Sequence, residues 1–335
     1  MKYIAPTWLP GGNLQTIWPA LVSARSLQNS ADVAYQRVRW TTPDHDFIDV
    51  DYGLAASPKL QTPTKQPLLV LFHGLEGSSS SHYARAFAKI AQQRGWAFAV
   101  PHFRGCSGEI NRAPRAYHSG DYEEIGWMLS RFKAAHIAAG GGALLAVGIS
   151  LGGNALMRWA QEAGSTAAQT VEAVASVCAP LDLAASGVAI GQGFNRLVYT
   201  RMFLNTMKPK ALERLALNPG LFDAKALQAS RDLHAFDNIF TAPLHGFKNT
   251  EDYWLRASAK PHMHRIQLPA LALNAVNDPF IPAWSLPKPT EVSKSVTLWH
   301  TAQGGHVGFP KGKFPAQVMA MPEAVSAWLA THLLA

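Results

Sequence analysis

The sequence predicts an α/β fold: a mostly parallel central sheet with helices on both faces and an inserted lid over one edge. Three observations carry that expectation. Apolar runs of strand length alternate with segments whose apolar residues recur at helical spacing. One such run drops directly into Gly148-Ile149-Ser150-Leu151-Gly152 and then into NALMRWAQEA, which reads as strand, sharp turn and helix. Finally, the alternation stops between Pro180 and Lys260 and then resumes. A chain of 335 residues that is 48% apolar is long enough for one large core plus such an insertion.

In chain order, the segment to about Asn29, with PTWLPGGNLQTIWP, is rich in Pro, Gly and Trp and has no clean period, so it reads as an ordered arm against the body. AYQRVRWTT (34–42) and DFIDVDYGL (46–54) alternate in the strand manner and are expected as an antiparallel pair. A link containing Pro and Lys, SPKLQTPTKQ, follows. The continuous apolar run at 68–72 is of the type found in a central strand covered on both faces. His73-Gly74-Leu75-Glu76-Gly77 and four serines then lead into helix-spaced HYARAFAKIAQQRG. Next come a strand in WAFAVPHF, a long loop in RGCSGEINRAPRAYHSGD, a helix in YEEIGWMLSRFKAA, the strand before Ser150, and a strand in VEAVASVC. After the interruption, LPALALNAVND and SVTLWHT read as strands and PEAVSAWLATHLL as a closing helix. The expected division is 1–180 for the arm and first part of the core, 181–260 for the lid, and 261–335 for the rest of the core.

Pro6, Pro10 and two glycines come before any sustained apolar run, which argues against a signal peptide and for the cytoplasm. The charge-free window 134–153 contains three consecutive glycines and the serine turn, so it reads as helix end, loop and strand rather than a membrane span. Cys106 and Cys178 have no disulfide context and no metal spacing. A net charge of +8 without a basic block, zinc-finger spacing or interleaved aromatics describes a solvated basic surface and no nucleic-acid partner; it leaves room for weak attraction to an anionic membrane surface.

Ser150 is the candidate nucleophile. A serine on a strained strand-to-helix turn stands clear of the sheet, and glycines two residues to either side let strand and helix approach it. The bland alternative is a serine N-cap on a glycine-rich turn. A serine hydroxyl is a weak nucleophile that needs a base, and the base needs an orienting carboxylate. Asp278 sits at the end of an apolar run before Pro279, and His306 follows the last strand in AQGGHVGF, so the order Ser150, Asp278, His306 is the one such a fold uses. Asp278 could instead be only a turn former, and Asp182 is the rival acid. His300 belongs to a strand, and His73 reads as loop support, with Glu76 and Ser78 to Ser81 holding or capping the following helix. The backbone amides of Leu75 and Leu151 are the candidate oxyanion donors. His262 and His264 read as surface histidines, Cys106 as a loop-packing cysteine, and Gly53, Gly74 and Gly77 as neither a phosphate loop nor a dinucleotide fingerprint, so no metal or organic cofactor is expected.

The combination HGLEGSSSSHY, HFRGCSGE, YHSGD, GISLGGN, TAPLHGF and NDPF with GGHVGF resembles the YheT-type branch of the α/β-hydrolase superfamily, akin to eukaryotic ABHD lipases and plant embryogenesis-associated proteins. The resemblance runs from PTWLPGGNLQT to the final helix. It implies Ser150 as nucleophile, Asp278 as acid, His306 as base and a lid inserted after the strand ending near Cys178. Members of this branch are described as hydrolases or esterases, and some eukaryotic relatives act on acylglycerols or phospholipids. The expectation is therefore a serine hydrolase of carboxylic esters, with Phe194, Tyr199, Met202, Phe203 and Met207 lining an apolar acyl pocket. Acyl transfer, thioester or amide hydrolysis at the same site, and an inert binding module, remain the competing readings.

Overall fold

Successive residues of a strand point to opposite faces of its sheet, and in this chain both sets are apolar along the central strands. The computed structural model describes residues 1–27, 33–54 and 65–333. Its strands are β1 (Tyr35–Thr41), β2 (Phe47–Gly53), β3 (Leu68–Phe72), β4 (Ala97–Pro101), β5 (Leu144–Ile149), β6 (Ala173–Val177), β7 (Ala270–Ala275) and β8 (Val296–Thr301). They form one sheet in the order β1-β2-β4-β3-β5-β6-β7-β8. β2 is antiparallel to both β1 and β4, and the remaining neighbours are parallel. The expected pair at the edge and the parallel core are both observed; the Pro- and Lys-containing link falls mostly on 55–64, outside the described residues.

The two side-chain sets build two cores. Leu68, Val70, Phe72, Leu144 and Ala146 pack under α3 (Tyr122–Ala138) and α4 (Leu151–Ala163). Their neighbours Leu69, Leu71, Leu145, Val147 and Leu273 face α2 (His82–Gln93) and the helix Ala320–Ala330 on the other side. The charge-free window 134–153 is divided among the end of α3, a turn, β5 and the start of α4. Among the described residues no helix is long and apolar enough to cross a membrane.

The N-terminal arm is ordered and held against the body, as expected, and it carries a helix that no period in the sequence announces. It is largely a helix, α1 (Gly11–Leu27), with Pro19 inside it. No apolar stripe announces it because the backbones of neighbouring loops press on it directly. A Cβ at Gly308 would lie 1.8 Å from the Gln15 carbonyl, the group to which Pro19 has no N–H to donate. A Cβ at Gly12 would lie 1.8 Å from the Asn277 carbonyl.

Between β6 and β7 the chain is helical, with its main helices at Leu183–Ile190, Arg201–Leu217, Ala224–Ala229 and Thr250–Ala257. Leu204, Ala211, Leu227, Phe236 and Phe240 give this insertion a small apolar core of its own. Its far end is tied to α4 by Asn154, which is fully buried. The Asn154 amide donates to the Ser119 and Ala257 carbonyls, each at 2.8 Å, and its Oδ1 accepts from Ala259 N at 3.0 Å. Asn154→Ala strands three buried backbone groups, so unfolding by urea should show a loss of about 3 kcal/mol or more. An unchanged midpoint would mean that water or a backbone shift replaces the side chain without cost.

Candidate active site

Ser150 adopts φ 52° and ψ −118°, a conformation that costs a residue with a side chain about 1–3 kcal/mol. Close contact on every side enforces it. A Cβ at Gly148 would stand 2.4 Å from Gly152 O, and a Cβ at Gly152 would stand 2.5 Å from His73 O. Ser150 N donates to Val177 O at 2.8 Å, which pins the turn to β6. The serine side chain makes no capping bond to α4, so the N-cap alternative does not describe it.

The hydroxyl lies 3.0 Å from His306 Nε2, and His306 Nδ1 lies 2.8 Å from Asp278 Oδ2. With Asp278 accepting at Nδ1, the imidazole carries its proton there and offers the Nε2 lone pair to the Ser150 hydroxyl. The Asp278 side chain is fully buried, and its second oxygen accepts from Phe280 N at 2.8 Å. The Phe280 ring covers the imidazole with centroids 4.2 Å apart.

α1 holds the loop that carries His306. Thr16 Oγ1 accepts from His306 N at 2.8 Å, and Gln15 Oε1 accepts from Gly304 N and from the Asn277 amide, each at 2.9 Å. Asn277 Oδ1 in turn accepts from Gly305 N at 3.0 Å. Gln15, Thr16, Asn277 and Phe280 have no role in the expectation drawn from the sequence, although all four lie inside the motifs PTWLPGGNLQT and NDPF.

The remaining candidates separate clearly. Asp182 caps the helix Leu183–Ile190 by accepting from Ala185 N. His73 is sealed from solvent, its Nδ1 donating to Gly74 O and its Nε2 accepting from Phe103 N, which is the loop support expected of it. The serines and Glu76 depart from the expected capping. Ser81 accepts from Ser78 N instead of capping α2, and Ser79 donates to Asp51. Glu76, at φ 57°, accepts from the Tyr117 hydroxyl at 2.9 Å and meets Lys210 of the insertion at 2.8 Å. Burial, with Glu76 nearby, pushes the Cys106 thiol up to about 12, as befits a packed cysteine.

Leu75 and Leu151 flank the serine. A Cβ at Gly74 would touch Ser150 Cβ at 3.2 Å, which fixes how near the loop runs. In that loop Gly74 N donates to the Tyr83 hydroxyl, Glu76 N to Tyr117 and Gly77 N to Gly74 O, while the Leu75 N–H meets no acceptor among the described residues. Leu151 opens α4, where the first amides have no partner within the helix.

Ser150, His306, Leu75 and Leu151 open into a cavity of about 540 Å³. Tyr199, Met202, Phe203 and Met207 line it as expected. Phe194 does not: it is 51% exposed and packs on the outer side of Tyr199, because its short helical turn faces solvent.

This sheet order, with a strained serine after β5, a carboxylate after β7 and a histidine after β8, defines a protein of the α/β-hydrolase class. Residues 67–313 match the alpha/beta hydrolase fold, and the chain belongs to that family, on the YheT-type branch to which its motifs pointed. It is 38% identical to the Escherichia coli protein named "Putative esterase YheT", over 96% of this chain and 91% of that one. It is 24% identical to human phospholipase ABHD3, over 94% of this chain and 75% of that one. Identity to a monoacylglycerol lipase of Saccharomyces cerevisiae is 28%, over 79% and 60% of the two chains. A solved esterase of Pyrococcus furiosus, Pf2001, shares the fold with a TM-score of 0.55 at 14% identity, covering 92% of this chain and 93% of that one.

Burial around the cavity leads to a pH prediction. It lowers His73 and His118 to about 3 and His82 to about 4, so these imidazoles stay neutral in the folded state. Unfolded, each takes up a proton near pH 6.5, so below that pH the unfolded state binds more protons and stability falls with pH, by about 1.4 kcal/mol per unit for each histidine. Asp237, raised to about 6 by burial, and Glu124, also raised by burial, work the other way in part of that window. The net expectation is that stability falls as pH drops from 6.5 to 4.5, by on the order of 1 kcal/mol per unit. Urea titrations across that range would refute it by showing constant stability.

Proposed function

We propose that the protein is a serine hydrolase that cleaves carboxylic esters of apolar acyl groups through an acyl-enzyme, in the cytoplasm, with 181–260 acting as a lid between core segments 1–180 and 261–335. The observation that carries this reading is the continuous Ser150–His306–Asp278 relay at the floor of a largely apolar cavity. In this scheme His306 Nε2 takes the Ser150 proton as Oγ attacks the ester carbonyl, and Asp278 stabilises the resulting imidazolium. The tetrahedral oxyanion accepts from the Leu75 and Leu151 amides. His306 gives its proton to the departing alkoxide, then activates water to release the acid. Tyr199, Met202, Phe203 and Met207 provide an apolar wall for the acyl chain. The relatives named as esterase, phospholipase and lipase support the same chemistry.

A fluorophosphonate should label the wild-type protein and not Ser150→Ala; equal labelling of the two would reject Ser150. In a p-nitrophenyl ester series from acetate to laurate, kcat/KM should rise with chain length and then fall once the cavity is full. A rate that declines from acetate onward would reject the apolar acyl specificity. Asp278→Asn leaves the shape but favours the wrong imidazole tautomer, so kcat should drop by about 10⁴. A loss below tenfold would show that Asp278 has no part in orienting the base.

A further inference from the structure

The cavity wall changes character along one helix. Phe203, Met207, Lys210 and Arg214 of Arg201–Leu217 recur at intervals of three and four, which places them on one face, and all four line the cavity. From Phe203 to Arg214, a rise of about 16 Å, that face passes from apolar to cationic. Among the described residues three cations, Arg104, Lys210 and Arg214, reach the cavity, and two of them are matched. Lys210 meets Glu76 at 2.8 Å, and Arg104 meets Asp44, Asp46 and Glu124.

Arg214 is the third. It is only 3% exposed, yet no carboxylate lies within ion-pair distance of it among the described residues. Its Nη1 donates to the carbonyls of Ala113 and Arg115, while Nε and Nη2 meet no acceptor among the described residues. Asp46 is the acid whose field reaches it, and that carboxylate is already held by Arg104, Asn111 and the amides of Arg112 and Ala113. Carbonyl oxygens orient a guanidinium but leave its charge in place, and a buried unmatched charge is strongly unfavourable. A planar fork with free donors, on a residue that lines the cavity, suits a carboxylate or phosphate.

We infer that Arg214 is an anion subsite: the ester this cavity takes also carries a carboxylate or phosphate, seated at Arg214 while its apolar part lies along Phe203 and Met207. The inference rests on the ester-hydrolase reading above for the word "ester", and its test is one of binding, separable from catalysis.

Ser150→Ala protein, which retains the cavity, would be titrated calorimetrically with two matched pairs of esters. Methyl hexanoate against monomethyl adipate places the anion on the acyl side. Monohexanoylglycerol against monohexanoylglycerol phosphate places it on the alcohol side. At least one anionic member should bind about tenfold or more tightly than its neutral partner, and which pair shows this tells where the anion sits. Adding Arg214→Gln, which keeps donors for the two carbonyls but removes the charge, should abolish the preference, whereas Arg214→Lys should keep part of it. Equal binding within both pairs, or a preference that survives Arg214→Gln, overturns the inference. If Arg214→Gln does not fold, the comparison within each pair on the Ser150→Ala protein and on Arg214→Lys decides. Absence of fluorophosphonate labelling of the wild type would count against the hydrolase reading alone and leave these affinities interpretable.

Discussion

The backbone of Ser150 is the constraint on which the rest of the site depends. At φ 52° the residue would relax into an ordinary conformation if the turn were free, and relaxation would carry its hydroxyl away from His306. It is not free: Gly148, Gly152 and the end of β3 leave no room for another path, and the bond from Ser150 N to Val177 O anchors the turn in the sheet. Strain of about 1–3 kcal/mol is small beside the burial of two complete core layers, so the sheet imposes the conformation and the serine accepts it. The loop at Gly74 and Leu75 is placed by the same crowding, because it is the neighbour that Gly152 has to admit.

The other half of the site is positioned by polar bonds rather than by packing. Asp278 and His306 sit on loops after β7 and β8, and loops need external holders. α1 supplies them through Gln15 and Thr16, whose side chains replace the regular hydrogen bonds that the loop backbone lacks. Glycines at 12, 305 and 308 make this possible, since each lets two backbones touch where any side chain would intrude.

Much of this was legible in the residues. β3 and β5 were visible because both faces of a buried parallel strand are apolar, leaving a run with no polar interruption. Ser150 and Asp278 were legible because each lies just past a buried apolar strand, β5 and β7, and His306 because it sits in the glycine-rich loop after the last strand, so position along the chain translates into position at the sheet edge. α1 was not, because a helix held by backbone contacts and carrying Pro19 has no apolar stripe to betray it. Phe194 was assigned to the wrong surface for a related reason: helical spacing says which residues share a face, and only the packing of Tyr199 on Phe280 decides which face turns inward. Glu76 reads locally, as one of the residues holding or capping the following helix, while its partners Tyr117 and Lys210 lie far along the chain.

The bond from Gly304 to Gln15 joins residues 289 positions apart. Contacts of such separation close only after most of the chain is available, since the loop they complete spans nearly every other element. A ribosome-bound intermediate can therefore assemble β3, β5 and the serine turn while the histidine loop is still unmade. The serine turn forms early and its partner loop comes last, so on the proposed reading a nascent chain gains a complete Ser150–His306–Asp278 relay only after synthesis has passed His306.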